Sequence, residues 1–266
     1  MTDVLRAVVL GIIEGLTEFL PVSSTGHLVI AMPLMDISAS QPPWSTLLWV
    51  SQFGAILAVV VYFWRDLWKR CTAPLTDWRS HLLVKLAAAM IPTVVIALLL
   101  KRVLTPLEES PTAVAAALIV GAFVILFIDR RYRRQGPMQL DQVTLAQAFW
   151  IGVIQCISMW PGVSRSGASI MGGMVLGLTP RVAAQFSFYL AIPTMLAAGV
   201  KTLWDERHTL SSDGAAVVLV GTATSFVVAL IVVATFMEYV KRRRFTPFVI
   251  YRIALGLAVL AFYWRA

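Results

Sequence analysis

Apolar residues run in long blocks along this chain, with polar residues gathered in short stretches between them. Six blocks, 45–64, 84–100, 112–128, 183–200, 215–236 and 248–264, approach the ~20 apolar residues a helix needs to cross a ~30 Å hydrocarbon core. Two further blocks are interrupted. Residues 5–30 are broken by Pro21 and the polar run Ser23-Ser24-Thr25-Gly26-His27, and residues 146–177 by Pro161 and Ser164-Arg165-Ser166-Gly167. Short apolar arms around a polar break predict re-entrant segments, because irregular backbone at membrane depth needs protein or a water-filled cavity around it. The pattern predicts an all-α polytopic membrane protein with six transmembrane helices and two re-entrant helical segments.

The two interrupted blocks resemble each other. GIIEGLTEFLPVSSTGH (Gly11 to His27) lies over GVIQCISMWPGVSRSGA (Gly152 to Ala168), with Ser23 on Ser164, Ser24 on Arg165, Thr25 on Ser166 and Gly26 on Gly167. Each block precedes three long apolar spans. The chain therefore reads as one integral membrane domain built from two halves, approximately 1–140 and 141–266.

Charge adds orientation. Threading the spans alternately puts 14 basic residues on one side: Arg65, Lys69, Arg70, Arg79, Lys85, Arg130, Arg131, Arg133, Arg134, Arg181, Lys241, Arg242, Arg243 and Arg244. Six fall on the other, Arg6, Lys101, Arg102, Lys201, Arg207 and Arg265, and Arg165 and Arg252 remain inside segments. The positive-inside rule makes the first side cytoplasmic, with both termini outside. The halves then have opposite orientation, an inverted-topology repeat, which places a site near the midplane where the broken segments meet. Trp44, Trp64, Trp68, Trp150, Trp204 and Trp264 fall near span ends, as interfacial anchors do.

Composition supports this picture. The chain is 59% hydrophobic and only 14% charged, against about 25% charged for soluble domains. The net charge of +8 sits between apolar runs, which fits anionic lipid heads rather than nucleic acid. The first residues lack a basic region and a small-residue cleavage site, so they are expected to stay in the fold. Cys71 and Cys156, in different settings, give neither a disulfide framework nor a cysteine metal site.

Candidate chemistry lies in the two breaks. Glu14 and Glu18 are four apart, hence on one helical face, which Gly11 and Gly15 share. Two carboxylates among glycines suit close helix packing beside a polar cavity. They could hold a hard divalent cation, Mg²⁺ with Ca²⁺ as the alternative, or one could be a general base. Ser23, Ser24 and Thr25 offer three hydroxyls and also suit the cap of a helix starting near Gly26. His27 is a candidate acid/base partner; His81 and His208 fall in loops. In the second break, Arg165 is either an ion-pair partner of Glu14 or Glu18 or a bidentate phosphate clamp. Gly162 lets backbone N–H groups approach, and Ser164, Ser166 and Ser169 add donors at a helix start, a set suited to phosphate or pyrophosphate. Arg252, eight residues past the Lys241–Arg244 run, is expected to snorkel to the cytoplasmic face. The halves diverge: Glu14 aligns with Gln155, Glu18 with Met159, Ser24 with Arg165 and His27 with Ala168. Distinct roles in the two halves favour an enzyme over a symmetric carrier.

The stretches E-G-L-T-E-F-L-P-V-S-S-T-G-H (14–27) and P-G-V-S-R-S-G-A-S (161–169) resemble the two signature motifs of bacterial undecaprenyl-diphosphate phosphatases of the bacitracin-resistance type. The resemblance runs nearly full length and includes Gln52 to Ala58, Phe245 to Phe248, and Tyr251-Arg252. Ser169 stands where that family usually has Thr, and Met32 to Trp44 matches poorly. The resemblance implies hydrolysis of undecaprenyl diphosphate to the monophosphate carrier lipid used in cell-wall synthesis. It also implies a divalent cation, a cytoplasmic-membrane location and a site facing the periplasm, and it points to Glu14, Glu18, Ser24, His27, Ser164 and Arg165. The expected partners are a long-chain prenyl diphosphate lipid and the membrane, with no nucleic acid. Rival readings are a polyprenyl-phosphate carrier, which would use the same repeat and Arg165, and an intramembrane serine protease, which would use Ser24 and His27 but has no need of Arg165 or two acids.

Overall fold

The computed structural model describes residues 2–108, 110–134, 138–206 and 211–264, with side chains for all of these except 75, 100–108, 197–198, 201–203 and 205–206. Of the residues in the charge count, Arg207 and Arg265 lie outside the described residues, as does His208, and so do the side chains of Lys101, Arg102 and Lys201.

The first broken segment is two short helices, α1 (Asp3–Thr17) and α2 (Ser24–Leu34). Thr2 caps α1 by accepting from the Leu5 N–H at 3.4 Å. Long helices α3 (Trp44–Tyr62), α5 (Leu82–Glu108) and α6 (Pro111–Arg131) follow, with the short α4 (Trp64–Cys71) between α3 and α5. The second broken segment repeats the scheme. It comprises α7 (Leu145–Gln155), a 3₁₀ turn (Cys156–Met159) and α8 (Arg165–Val175), followed by α9 (Pro180–Glu206), α10 (Ser212–Arg242) and α11 (Thr246–Trp264). Thr144 and Gln147 form a reciprocal capping box at the start of α7, and Ser110 and Ser211 cap α6 and α10. No strand occurs among the described residues. At 1.5 Å per residue, α1, α2, α7 and α8 span only about 15–25 Å each, too short to cross a bilayer singly.

Among the described residues, five helices, α3, α5 (over Leu82–Leu99), α6, α10 and α11, are long and apolar enough to cross a membrane. The chain is a multi-pass, all-α membrane protein. The sixth expected span lies within α9, a helix of 27 residues, part of whose side chains fall outside the described residues. Ala183, Ala184, Phe186, Ser187, Phe188, Tyr189, Leu190 and Ala191 are all essentially buried. Lipid demands apolar side chains, whereas a helix enclosed by protein can carry Gln185, Ser187 and Tyr189 among them.

Partners are exchanged between the halves. α1 packs on α10 and α7 on α5; α2 lies against α11 and α8 against α6. The glycines of α1 make its contact close. A methyl group at Gly15 would sit 2.7 Å from the Ser225 carbonyl oxygen and 2.8 Å from Val228 Cβ. The result is that both chain breaks face the interior, with Phe19 edge-on to Phe188 of α9 at 4.9 Å. Of the anchoring tryptophans, Trp64, Trp68, Trp150, Trp204 and Trp264 are exposed.

Candidate active site

Each break ends in the same local structure. Ser23 has φ 70° and ψ 106°, and Ser164 has φ 80° and ψ 115°. Positive φ is uncommon for a residue with a side chain. Both serines are N-caps. Ser23 Oγ accepts from the Gly26 N–H at 3.4 Å, and Ser164 Oγ from the Gly167 N–H at 3.1 Å. The caps therefore start α2 at Ser24 and α8 at Arg165, each of which is a candidate site residue.

The two breaks touch. Ser166 Oγ donates to the Leu20 carbonyl at 2.8 Å, with Ser164 Oγ 3.5 Å from that oxygen and 3.1 Å from Ser166 Oγ. Across this contact, Glu18 gathers both halves. Ser24 Oγ donates to Glu18 Oε2 at 3.0 Å, and Arg165 Nη2 donates to Glu18 Oε1 at 3.1 Å. The ion-pair reading of Arg165 thus holds here with Glu18. Arg165 is further fixed by the Ser187 carbonyl at 3.0 Å and the Met195 sulfur at 3.4 Å, with its guanidinium carbon 5.7 Å from the Phe19 ring centroid. Two buried atoms beside this chain lack a partner: Glu14 Oε1, an acceptor, and Arg165 Nε, a donor.

The other expected residues are distributed around this core. Thr25 is exposed at the start of α2, and Gly162 is buried with φ +89°. Ser169 is fully buried; its hydroxyl donates to the Arg165 carbonyl at 2.8 Å and lies 2.6 Å from Ser187 Oγ, so it supports the first turn of α8. His27 is not brought to Ser24. Its Nδ1 is 2.7 Å from the Ser23 carbonyl, which can only accept, so Nδ1 carries the proton. Its Nε2 then accepts from the Tyr251 hydroxyl at 2.7 Å, with the two rings stacked at 5.5 Å.

Arg252 corrects an expectation. It does not reach the cytoplasmic face; it is fully buried and donates to the carbonyls of Leu118, Pro21, Val163, Ala117 and Gly162 at 3.0–3.2 Å. Gly121 supplies the room, since a methyl group there would fall on Arg252 Nη2. Tyr251 and Arg252 were not among the expected site residues, nor was Ser187; the signal available for the first two was the Tyr-Arg pair quoted in the resemblance.

Residues 7–258 match the family described as bacitracin resistance protein BacA. The chain belongs to the BacA family. It is 46% identical to the undecaprenyl-diphosphatase of Novosphingobium aromaticivorans, covering 100% of this chain and 99% of that protein. It is 44% identical to undecaprenyl-diphosphatase 2 of Paramagnetospirillum magneticum, over 96% of this chain and 98% of the relative. With the enzyme of that name from Nitrobacter hamburgensis it shares 40% identity over 98% of each chain.

For a BacA-family chain, the fit of a divalent cation turns on Glu14. Its side chain is 2% exposed and offers an oxygen with no protein donor, one helical turn from Glu18. No group of three or more His, Cys, Asp or Glu side chains suited to a metal occurs among the described residues. Mg²⁺ keeps waters and takes one or two carboxylates plus substrate phosphate oxygens, which is the donor set two glutamates and a diphosphate provide. The residues fit such an ion, and Glu14 and Glu18 are the ones that would hold it. The whole arrangement offers an acid-paired hydroxyl, a guanidinium with a free N–H and two helix starts, the components of phosphoryl transfer.

Proposed function

We propose that this chain hydrolyses undecaprenyl diphosphate, releasing phosphate and leaving undecaprenyl phosphate, the carrier lipid for peptidoglycan synthesis. This recycling would underlie resistance to bacitracin. The observation that carries the reading is the Ser24–Glu18–Arg165 chain, which joins a hydroxyl and an acid from one half to a phosphate-binding cation from the other. The names of the relatives supply the substrate.

The geometry suggests how the residues divide the work. Arg165 and Ser164, with N–H groups at the start of α8, hold the terminal phosphoryl group; the first N–H groups of a helix have no intrahelical partner. Ser24 Oγ, already donating to Glu18, gives its proton to that carboxylate as the oxygen attacks phosphorus. The bond from phosphorus to the bridging oxygen breaks and undecaprenyl phosphate leaves. Water then hydrolyses the phosphoserine, and Glu18 returns the proton to Ser24. Mg²⁺, or Ca²⁺ in its place, held by Glu14 and Glu18 would supply neutralisation of the phosphoryl charge. His27, engaged by Tyr251 and Ser23, orients the start of α2 rather than serving as the base for Ser24. The site opens to the periplasmic side of a bacterial cytoplasmic membrane, in an inverted repeat. The 14-to-6 basic split and the exchanged helix partners support that placement.

The test is phosphate release from undecaprenyl diphosphate by the purified protein in detergent, with and without a chelator. Release that stops on chelation and returns with Mg²⁺ is expected. No release from folded, metal-supplied protein would refute the reading.

A further inference from the structure

A buried cation without a carboxylate partner is costly in a protein interior, and more so in a membrane. Arg252 is fully buried on α11, and no carboxylate among the described residues reaches it. Instead all five guanidinium N–H groups end on backbone carbonyls. Nε donates to Leu118 at 3.2 Å, Nη1 to Pro21 at 3.2 Å and Val163 at 3.1 Å, and Nη2 to Ala117 at 3.0 Å and Gly162 at 3.1 Å. These acceptors come from three places: α6, the first break and the second break.

The positions in the breaks matter. Pro21 stands two residues before Ser23, and Gly162 and Val163 stand two and one before Ser164. Ser23 and Ser164 are the positive-φ caps from which Ser24 and Arg165 project. Such backbone costs on the order of 1–3 kcal/mol per residue and persists only where its surroundings over-determine it. Arg252 is the side chain that ties both strained turns to one fixed point on α6.

We propose that Arg252 is a positioning residue that sets the distance between the two breaks, and so holds the Ser24–Glu18–Arg165 chain in register. It touches neither Ser24 nor Arg165; it acts through the carbonyls that precede their caps. A lysine could not replace it, because three N–H donors on one nitrogen cannot serve five carbonyls spread over three segments. The proposal rests on the phosphatase reading for its kinetic arm only.

Two variants test it. Arg252→Lys removes the planar fork. Gly121→Ala leaves Arg252 in place but puts a methyl group where Nη2 now lies. Each is assayed for kcat and KM, and for the separation of spin labels at Thr25→Cys and Ile157→Cys, both exposed, with Cys71 and Cys156 replaced. A shift of about 1 Å in catalytic geometry is worth roughly 100-fold in rate. Folded Arg252→Lys should therefore lose on the order of 100-fold in kcat, and Gly121→Ala about tenfold, with KM changing far less. The label distances should broaden in both. Lower thermal stability alone would not produce this, since kcat is read per folded molecule. If Arg252→Lys does not fold, Gly121→Ala decides. Unchanged kcat and unchanged label distances in the folded variants would overturn the proposal. If the parent protein releases no phosphate, the phosphatase reading fails, and the label distances still decide whether Arg252 sets the spacing.

Discussion

Glu18 is the residue on which the two halves converge, because its two oxygens accept from Ser24 and from Arg165. If it takes the Ser24 proton, Glu18→Gln should nearly abolish phosphate release in a folded protein. His27→Gln should cost much less, since the His27 nitrogens are engaged by Ser23 and Tyr251. Equal losses would return His27 to the role of base. Arg165→Lys keeps the charge but not the fork, so it should not rescue Arg165→Ala. Both should lose about 3 kcal/mol or more in kcat/KM. The measurement is steady-state kinetics on variants first checked for intact thermal unfolding. A folded Arg165→Ala protein with near-parental rates would leave Arg165 as an ion-pair partner only. These residues were legible in the sequence because an acid or a guanidinium inside an apolar run is rare whatever the fold. Arg252 was equally visible but misread. Its proximity to Lys241–Arg244 suggested snorkelling, and its partners at Pro21 and Gly162 are remote in sequence. The pairing of His27 with Tyr251, 224 residues apart, left no local trace either.

At the scale of elements, the paired breaks were predicted by Pro21, Pro161 and the hydroxyl runs, and a hydroxyl cap was expected for a helix starting near Gly26, where the helix in fact starts at Ser24. The positive φ at both caps was not predicted, because nothing about serine announces it; it comes from the contacts that hold the turns. The long helices followed the apolar blocks, α9 over the expected 183–200 included. Gly162 offers a direct test of how tightly the second turn is built. It has φ +89°, and an added Cβ would lie 2.6 Å from the Val114 carbonyl oxygen. Gly162→Ala therefore meets both backbone strain and a steric conflict, together about 2–4 kcal/mol. Ser164→Ala loses a cap worth about 1 kcal/mol. Thermal or denaturant unfolding should show the larger fall for Gly162→Ala. A larger fall for Ser164→Ala would mean that the cap, and not the close approach to α6, holds the turn.

For the whole molecule, the polar side chains outside the site gather into networks joined by the 132–144 connection. Asp66 accepts from Arg70 at 2.8 Å, Gln185 at 3.0 Å and Tyr189 at 2.5 Å, and Arg70 also pairs with Asp141. Burial alone would raise the pKa of Asp66, but hydrogen bonds from Arg70 and Tyr189 outweigh it and hold the carboxyl below its ordinary value. Lys85 Nζ donates to the Asp141 carbonyl at 2.9 Å. At the start of the same connection, Asp129 accepts from Arg133 at 2.8 Å and from the Phe245 N–H at 3.1 Å, and Arg133 reaches the Arg243 carbonyl at 2.7 Å. Arg70, Lys85, Arg133 and Arg243 all belong to the 14 basic residues read as cytoplasmic. Both halves thus contribute to one charged end, which the proposed orientation places in the cytoplasm with the termini opposite. Labelling of single cysteines in intact cells, with Cys71 and Cys156 replaced, tests this orientation. Asp3→Cys and Trp264→Cys, both exposed, should react with a membrane-impermeant maleimide at once. Thr72→Cys and Arg131→Cys, also exposed, should react only after permeabilisation. The reverse pattern would turn the whole protein over and place the charged end outside. A terminus on the same side as Arg131 would break the inverted repeat, and the two breaks could then no longer enter from opposite faces to meet at Glu18.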